Sequence, residues 1–213
     1  MKLIASILSF VFLSSGITYA QQNQEIKNSN VKLGQKALMD GDFKEAVTHL
    51  EKAIPTEGSN PDVLYMLGYS YYHSGSYQKS ISTFGQVIAL KPSNVSAYYY
   101  RGKARNVLGT QMNSPLSVTE REKLLLASIN DYTKAIELNS ADQVLYQNRA
   151  MAYRDYGILK GQKIRKFYNK EVAENSFKSC IEDLQKVLDA TPGRKDITEE
   201  MKKAKVYMAN LSR

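Results

Sequence analysis

Residues able to do acid–base, nucleophilic or metal chemistry are sparse in this 213-residue chain. There are two histidines, His49 and His73, and one cysteine, Cys180. None falls at the short Cys/His spacings that hold zinc. No GxGxxG, GxxxxGK or GxSxG motif provides a phosphate cradle or a nucleophile elbow. The neighbours Glu199 and Glu200 read as an exposed helical face, and His49, beside the apolar Leu50, as a solvated or satisfied side chain. The expectation is a protein that is not an enzyme and holds no cofactor or metal. Two other kinds of chemistry are better supplied. Tyrosine is abundant, with 15 residues against no tryptophan, and gives stiff contact area with a polar tip. Positive charge is concentrated in one stretch, where Lys160, Lys163, Arg165, Lys166 and Lys170 fall within eleven residues without an acidic neighbour among them. Ile158, Leu159, Ile164, Phe167 and Tyr168 interleave with them. A basic, partly aromatic stretch suits anionic lipid, an acidic protein surface or nucleic acid. A solvated helical extension with its apolar side packed on a hairpin explains the same residues.

What must position these groups is a unit that recurs every 34 residues. Four copies run over 27–60, 61–94, 95–142 and 143–194, the last two lengthened by insertions. Counted from the start of each copy, position 8 is Gly34, Gly68, Gly102 and Ala150, and position 20 is Ala46, Ser80, Ser128 and Cys180. All eight are small, as needed where two helices of a hairpin cross with their backbones close. Position 15 is Gly41, Gly75, Gly109 and Gly157, placed where a left-handed cap would end the first helix. Position 17 is Phe43, Tyr77, Leu125 and Phe177; position 24 is Leu50, Phe84, Tyr132 and Leu184; position 27 is Ala53, Val87, Ala135 and Val187. Pro92 and Pro192 follow the second and fourth copies. Both insertions fall after the position-15 glycine, which predicts enlarged turns and longer second helices. In the third copy Ser117-Val118-Thr119-Glu120 has capping-box spacing, so its second helix is expected to start there and to end near Leu138. A unit of this length cannot bury its apolar faces alone, and copies must stack.

These positions resemble the tetratricopeptide repeat (TPR) family over roughly residues 27–194. The resemblance implies an all-α, right-handed superhelix of about four helix-turn-helix repeats. It also implies a concave groove lined by the first helices, at positions 2, 5, 6, 9, 12 and 13. Carried onto this chain, the groove residues are Tyr65, Met66, Tyr69, Tyr72, Tyr99, Tyr100, Lys103, Asn106, Asn148, Met151 and Arg154. Lys103 and Arg154 are placed to meet a carboxylate, and Asn106 and Asn148 to hold a peptide backbone. Tyr98 and Tyr146, at position 4, are expected to pack between repeats. The Lys/Asn set with which some family members grip acidic chaperone C-termini is not supplied: the matching positions hold Val31, Gln35, Met66, Ser96 and Tyr100, or, one repeat later, Tyr65, Tyr69, Tyr100, Val144 and Asn148. The expected function is a non-enzymatic interaction module or scaffold that takes a protein or peptide in the groove. The alternative is an anionic surface or polymer bound through residues 158–170.

The flanks carry different signals. Met1-Lys2, an apolar run over Leu3–Leu13 and the small residue Ala20 have the form of a secretory signal over 1–20, followed by a polar leader over 21–26. The apolar run is short for a membrane span. After Pro192, Ile197, Met201, Ala204, Met208 and Leu211 recur at helical steps, with Lys202, Lys203 and Lys205 on the other side, which predicts a capping helix over 195–213. Removing the leader, and Lys2 with it, takes the formal net charge from +8 to +7. A single cysteine forms no internal disulfide, and Cys180 at a small buried position reads as structural. Export without disulfides suits a bacterial periplasm or cell surface, where nucleic acid is the weakest of the candidate partners. The sequence leaves the oligomeric state and the partner's identity open.

Overall fold

A computed structural model describes residues 28–111, 115–164 and 166–212. Among the described residues there are nine α-helices and no strand. They are α1 Ser29–Met39, α2 Phe43–Glu57, α3 Pro61–His73, α4 Tyr77–Leu90, α5 Val95–Thr110, α6 Val118–Leu138, α7 Gln143–Gly161, α8 Lys170–Ala190 and α9 Lys195–Asn210. The proposed leader over 1–20 and the segment 21–26 lie outside the described residues, as does Arg165.

The helix starts are written in short polar side chains. Asn28, Asp42, Asn60, Asn94, Ser117, Asp142 and Asn169 each accept a backbone N–H of the first turn, and such a cap is worth about 1 kcal/mol. Ser117 and Glu120 complete the reciprocal capping box expected of α6. Gly41 and Gly75 end α1 and α3 in the left-handed conformation, at φ 77° and 81°. Gly109 and Gly157 do not act in this way. Both lie inside helices that run on, so the insertions lengthen the first helices of the third and fourth hairpins as well as the second ones. Their glycines serve the crossing instead: a Cβ on Gly109 would stand 2.8 Å from Leu125, and one on Gly157 2.9 Å from Phe177.

Within each hairpin the small residues permit close approach. A Cβ on Gly34 would meet Leu50 at 2.6 Å, and on Gly68 or Gly102 it would meet Phe84 or Tyr132 at 3.2 Å. Ser80 and Ser128 use the same closeness to donate across the pair, to the carbonyls of Gly68 and Gly102 at 2.9 and 2.8 Å. The position-24 and position-27 side chains are buried in all four copies, and each large apolar one contributes about 1.5–3 kcal/mol. Gly68→Leu is therefore expected to cost roughly 1–3 kcal/mol by overpacking against Phe84. A chemical-denaturation midpoint equal to that of the parent would contradict this crossing.

Two Arg–Asp pairs are largely buried at positions where the first two copies carry no such pair. Positions 7 and 23 are Leu33 and His49, then Leu67 and Thr83, but Arg101 and Asp131 in the third copy and Arg149 and Asp183 in the fourth. Arg101 Nη2 lies 2.6 Å from Asp131 Oδ1 and Arg149 Nε 2.7 Å from Asp183 Oδ2. Arg105 adds a third charge, 2.6 Å from Asp131 Oδ2. Burial pushes the Asp131 carboxyl upward, against the pull of the two guanidinium groups.

The extended helices brace one another. Glu122, on the added turns of α6, accepts from Lys160 at 3.0 Å and Tyr156 at 3.3 Å on the added turns of α7. Burial and that carboxylate push the Tyr156 phenol to about 12. At the C-terminal end α9 lies on the last hairpin, with Ile197, Met201 and Ala204 buried and Tyr207 stacked on Phe177. Lys202, Lys203 and Lys205 are exposed.

Candidate interaction groove

Contacts between hairpins set which side is inner. The first helices of consecutive hairpins touch directly, α1 with α3, α3 with α5 and α5 with α7, whereas the second helices make their main contacts with the first helices on either side. The stack therefore draws together on the first-helix side, and residues there face one another across helices.

Between α3 and α5 those residues are aromatic. Tyr100 is the hub. Its ring centroid lies 5.0 Å from Tyr69, 5.1 Å from Tyr99, 5.6 Å from Tyr72 and 6.3 Å from Tyr65. Its other side stacks on the buried Phe84 at 5.8 Å. His73 extends the group toward α2, 4.3 Å from Tyr69 and stacked on Phe43 at 4.5 Å. All five tyrosines are half-buried, so each offers contact area while its neighbours hold it still. Burial raises the phenol pKa of Tyr65, Tyr72, Tyr99 and Tyr100, which keeps them neutral hydrogen-bond donors.

Lys103 enters this group from α5. Its Nζ stands 5.1, 5.3 and 5.8 Å from the ring centroids of Tyr72, Tyr99 and Tyr100, the geometry of a cation held over aromatic faces. Burial lowers its pKa. Burial, and then the nearby Lys103, lower that of His73, which favours a neutral imidazole at pH 7.

The other groove candidates are placed differently. Arg154 is committed within the chain: it bonds Asp155 Oδ1 at 2.9 Å and Glu200 Oε2 at 2.6 Å. It ties α7 to α9 and is not a waiting carboxylate receptor. Glu200 accordingly leaves the exposed face assigned to it and is half-buried. Asn106 donates to Asp155 Oδ2 at 2.9 Å and Asn148 to the carbonyl of Val144 at 2.8 Å, so these amide donors are engaged. Met151 packs on the last core cluster, with its sulfur accepting from Arg154, and Met66 packs on the first. Tyr98 and Tyr146 pack between repeats around Ala135, Ile136 and Leu145.

The basic stretch divides. Lys160 is only 12% exposed and paired with Glu122, and Lys170 begins α8 and reaches Glu174 at 3.7 Å. Lys163, Ile164, Lys166 and Tyr168 are exposed between α7 and α8. Cys180 is fully buried, and its thiol is pushed to about 12 by that burial, far from a reactive thiolate. His49 Nε2 lies 2.8 Å from Glu45 Oε1. Among the described residues no group of three or more His, Cys, Asp or Glu is placed to hold a metal ion, and no helix is long and apolar enough to cross a membrane.

Residues 68–108, which include Tyr69, Tyr72, Tyr99 and Tyr100 and the crossing of the second hairpin, match a family model described as TPR repeat. Its span runs from the glycine crossing at Gly68 in the second hairpin to Tyr100 and Lys103 in the third. This segment is similar to tetratricopeptide repeats. The fold of the chain is similar to MamA 41-end from Desulfovibrio magneticus RS-1, at TM-score 0.54 and 18% identity over 86% of this chain and 91% of that one. It is also similar to a thermophilic TPR protein of Thermus thermophilus, at TM-score 0.50 and 17% identity over 83% of this chain and 97% of that one. In sequence, the photosystem I assembly protein Ycf3 of Acaryochloris marina is 24% identical over 108 residues, 49% of this chain and 65% of that protein. The BBSome complex member BBS4 of Bos taurus is 29% identical over 79 residues, 37% of this chain and 15% of that one. The chain thus spans less than two thirds of the length of either relative.

The sequence did not signal the buried charge pairs as pairs, although the Leu-to-Arg change at position 7 is matched by a change to Asp at position 23 in the same two copies. Nor did it place Phe43 in the aromatic group, because Leu125 and Phe177, at the same position of the third and fourth hairpins, belong to the core; His73, by contrast, follows from its groove position beside Tyr69 and Tyr72.

Proposed function

We propose that this protein is a non-enzymatic interaction module, or scaffold, that binds a segment of another protein against the tyrosine face of α3 and α5. The fold is one that serves protein–protein interaction, and the names of the two sequence relatives, an assembly protein and a complex member, agree with that use. The observation that carries the proposal is the group Tyr65, Tyr69, Tyr72, Tyr99 and Tyr100. It is half-buried and ordered by mutual contact, yet it lies on the side where the first helices converge. Pre-ordered aromatic anchors lower the entropy lost on binding.

Photo-crosslinking tests this directly. A benzophenone amino acid at Tyr72 is expected to capture the partner in cell extract, and the same group at the exposed Lys52 on α2 is expected to capture nothing specific. Capture from Lys52 and not from Tyr72 would move the binding face to the outer helices.

The module is further proposed to be exported, on the strength of the basic start, the Leu3–Leu13 apolar run and Ala20. Intact-mass measurement of the protein from cells is expected to give a chain beginning at Gln21. Retention of residues 1–20 would end the export proposal and leave the groove proposal intact.

A further inference from the structure

Where one hairpin meets the next, the residue at position 25 of the second helix faces the following first helix. At the first junction it is Glu51, whose carboxylate accepts from Tyr71 and Lys79 of the second hairpin. At the third junction it is Thr133, whose hydroxyl accepts from Arg149 Nη1 at 3.1 Å. At the second junction the same position is Gly85, in the interior of α4. Beyond its own stretch of helix, a Cβ built there would have one heavy atom within 4 Å, Arg101 Nη1 at 3.8 Å. Arg101 and Arg149 correspond atom for atom: each gives Nε and Nη2 to the aspartate of its own hairpin, Asp131 or Asp183. Arg149 then spends Nη1 on Thr133, whereas among the described residues Arg101 Nη1 has no acceptor. Arg105, one helical turn further along α5, bonds Asp131 and the Ala127 carbonyl through Nη1 alone. Its Nε and Nη2 are neither bonded within the described residues nor sealed from solvent. We infer that Gly85, Arg101 and Arg105 form an anion-binding notch at the junction of α4 and α5, and that it takes a phosphate group, as the free ion or a small monoester.

Charge, shape and space lead there. Two guanidinium groups share one carboxylate, which leaves one positive charge uncompensated. Neither α4 nor α5 contains an Asp or Glu to meet it. Burial lowers the Arg105 pKa against the pull of Asp131, and Arg101 adds to the lowering, so an arriving anion relieves a repulsion as well as making bonds. The Nε–Nη2 edge of a guanidinium grips two oxygens of one oxyanion in parallel. A carboxylate spends both its oxygens on that edge. A tetrahedral phosphate keeps a third oxygen out of the plane, where Arg101 Nη1 can donate to it. The room is that of the side chain which Glu51 and Thr133 supply at the neighbouring junctions and Gly85 does not. Glycine inside a helix is destabilising relative to alanine, and here it opens the approach to both arginines. At 100° per residue, Arg101 and Arg105 lie on the opposite face of α5 from Tyr99 and Lys103. The notch is therefore separate from the tyrosine groove and independent of the function proposed for it.

Phosphorus NMR titration of inorganic phosphate with the purified chain tests the notch, at an ionic strength held constant with chloride. The expected result is saturable line broadening with the parent and with Gly85→Ala. Gly85→Glu restores the carboxylate that position 25 carries in the first hairpin. It is expected to weaken phosphate binding about tenfold or more, with a melting temperature no lower than the parent's. Arg105→Gln, its fold checked by circular dichroism, is expected to weaken binding to a similar extent, and Tyr69→Ala to leave it unchanged. The general stabilising action of phosphate as an excluded salt falls on every variant alike, so the differences between variants carry the result. Competition by O-phosphoserine identifies a monoester as a fitting ligand, and its failure beside retained phosphate binding assigns the free ion. Absence of saturable broadening with the parent overturns the inference. So does undiminished binding in Gly85→Glu, or acetate that competes as well as phosphate.

Discussion

Asp131→Ala is expected to destabilise the protein by about 3–5 kcal/mol, the cost of breaking a buried ion pair from one side. The Asp131 carboxylate is completely buried, and it receives Arg101 through Nε and Nη2 and Arg105 through Nη1. Its removal leaves two guanidinium groups, 17% and 21% exposed, facing each other with no counter-charge between them. Arg105 retains a bond to the Ala127 carbonyl at 3.3 Å, which offsets little of that. The comparison that isolates charge from packing is Thr83→Ala at the same position of the second hairpin. There a neutral side chain donates to the Lys79 carbonyl, and its loss is expected to cost only roughly 0.5–1.5 kcal/mol. Chemical denaturation of the two variants measures the difference. Equal costs would mean that the Arg101–Asp131–Arg105 cluster gives the third hairpin no more than an ordinary hydrogen bond gives the second.

That cluster also marks the limit of what the repeat pattern discloses. Position-wise similarity exposes what every hairpin must do in the same way. The small residues at positions 8 and 20, the large apolar residues at position 24 and the cap at Ser117 were all legible, because each answers a requirement of two crossing helices. Arg101 and Asp131 are legible only as departures from the pattern, and the partner of a departure lies 30 residues away on another helix. Gly109 and Gly157 failed for a related reason. A glycine at position 15 can end a helix through a positive φ, as Gly41 and Gly75 do, or admit a neighbour's side chain, as these two admit Leu125 and Phe177. One residue type satisfies both needs. Only the length of the following insertion decides between them, and in the fourth hairpin it adds about four turns shared between α7 and α8. At the candidate site the inner-face positions of the tyrosines were recoverable from the repeat, whereas the engagement of Arg154 was not. Its partner Glu200 belongs to α9, beyond the last repeat unit, where the 34-residue register no longer applies.

Tyr69→Ala is expected to weaken partner binding by about 2 kcal/mol or more, as for a central aromatic anchor, or about thirtyfold in affinity. Tyr69 is the better probe than Tyr100. Tyr100 stacks on the buried Phe84 and contacts five further rings, so its truncation disturbs the junction of the second and third hairpins as well as the surface. Tyr69 touches Phe43, Tyr65, His73 and Tyr100 around a half-exposed edge, and a melting curve shows whether the variant retains its fold. The matching control removes charge elsewhere: Lys163→Gln with Lys166→Gln leaves the groove untouched and strips the exposed basic turn between α7 and α8. Those charges are solvated, and their contribution is expected to stay within about threefold and to vanish as salt rises. Binding lost with the two lysines and kept without Tyr69, most strongly at low salt, would transfer the interaction from the tyrosine face to the basic turn. Loss confined to Tyr69, unchanged by salt, is what an aromatic groove requires.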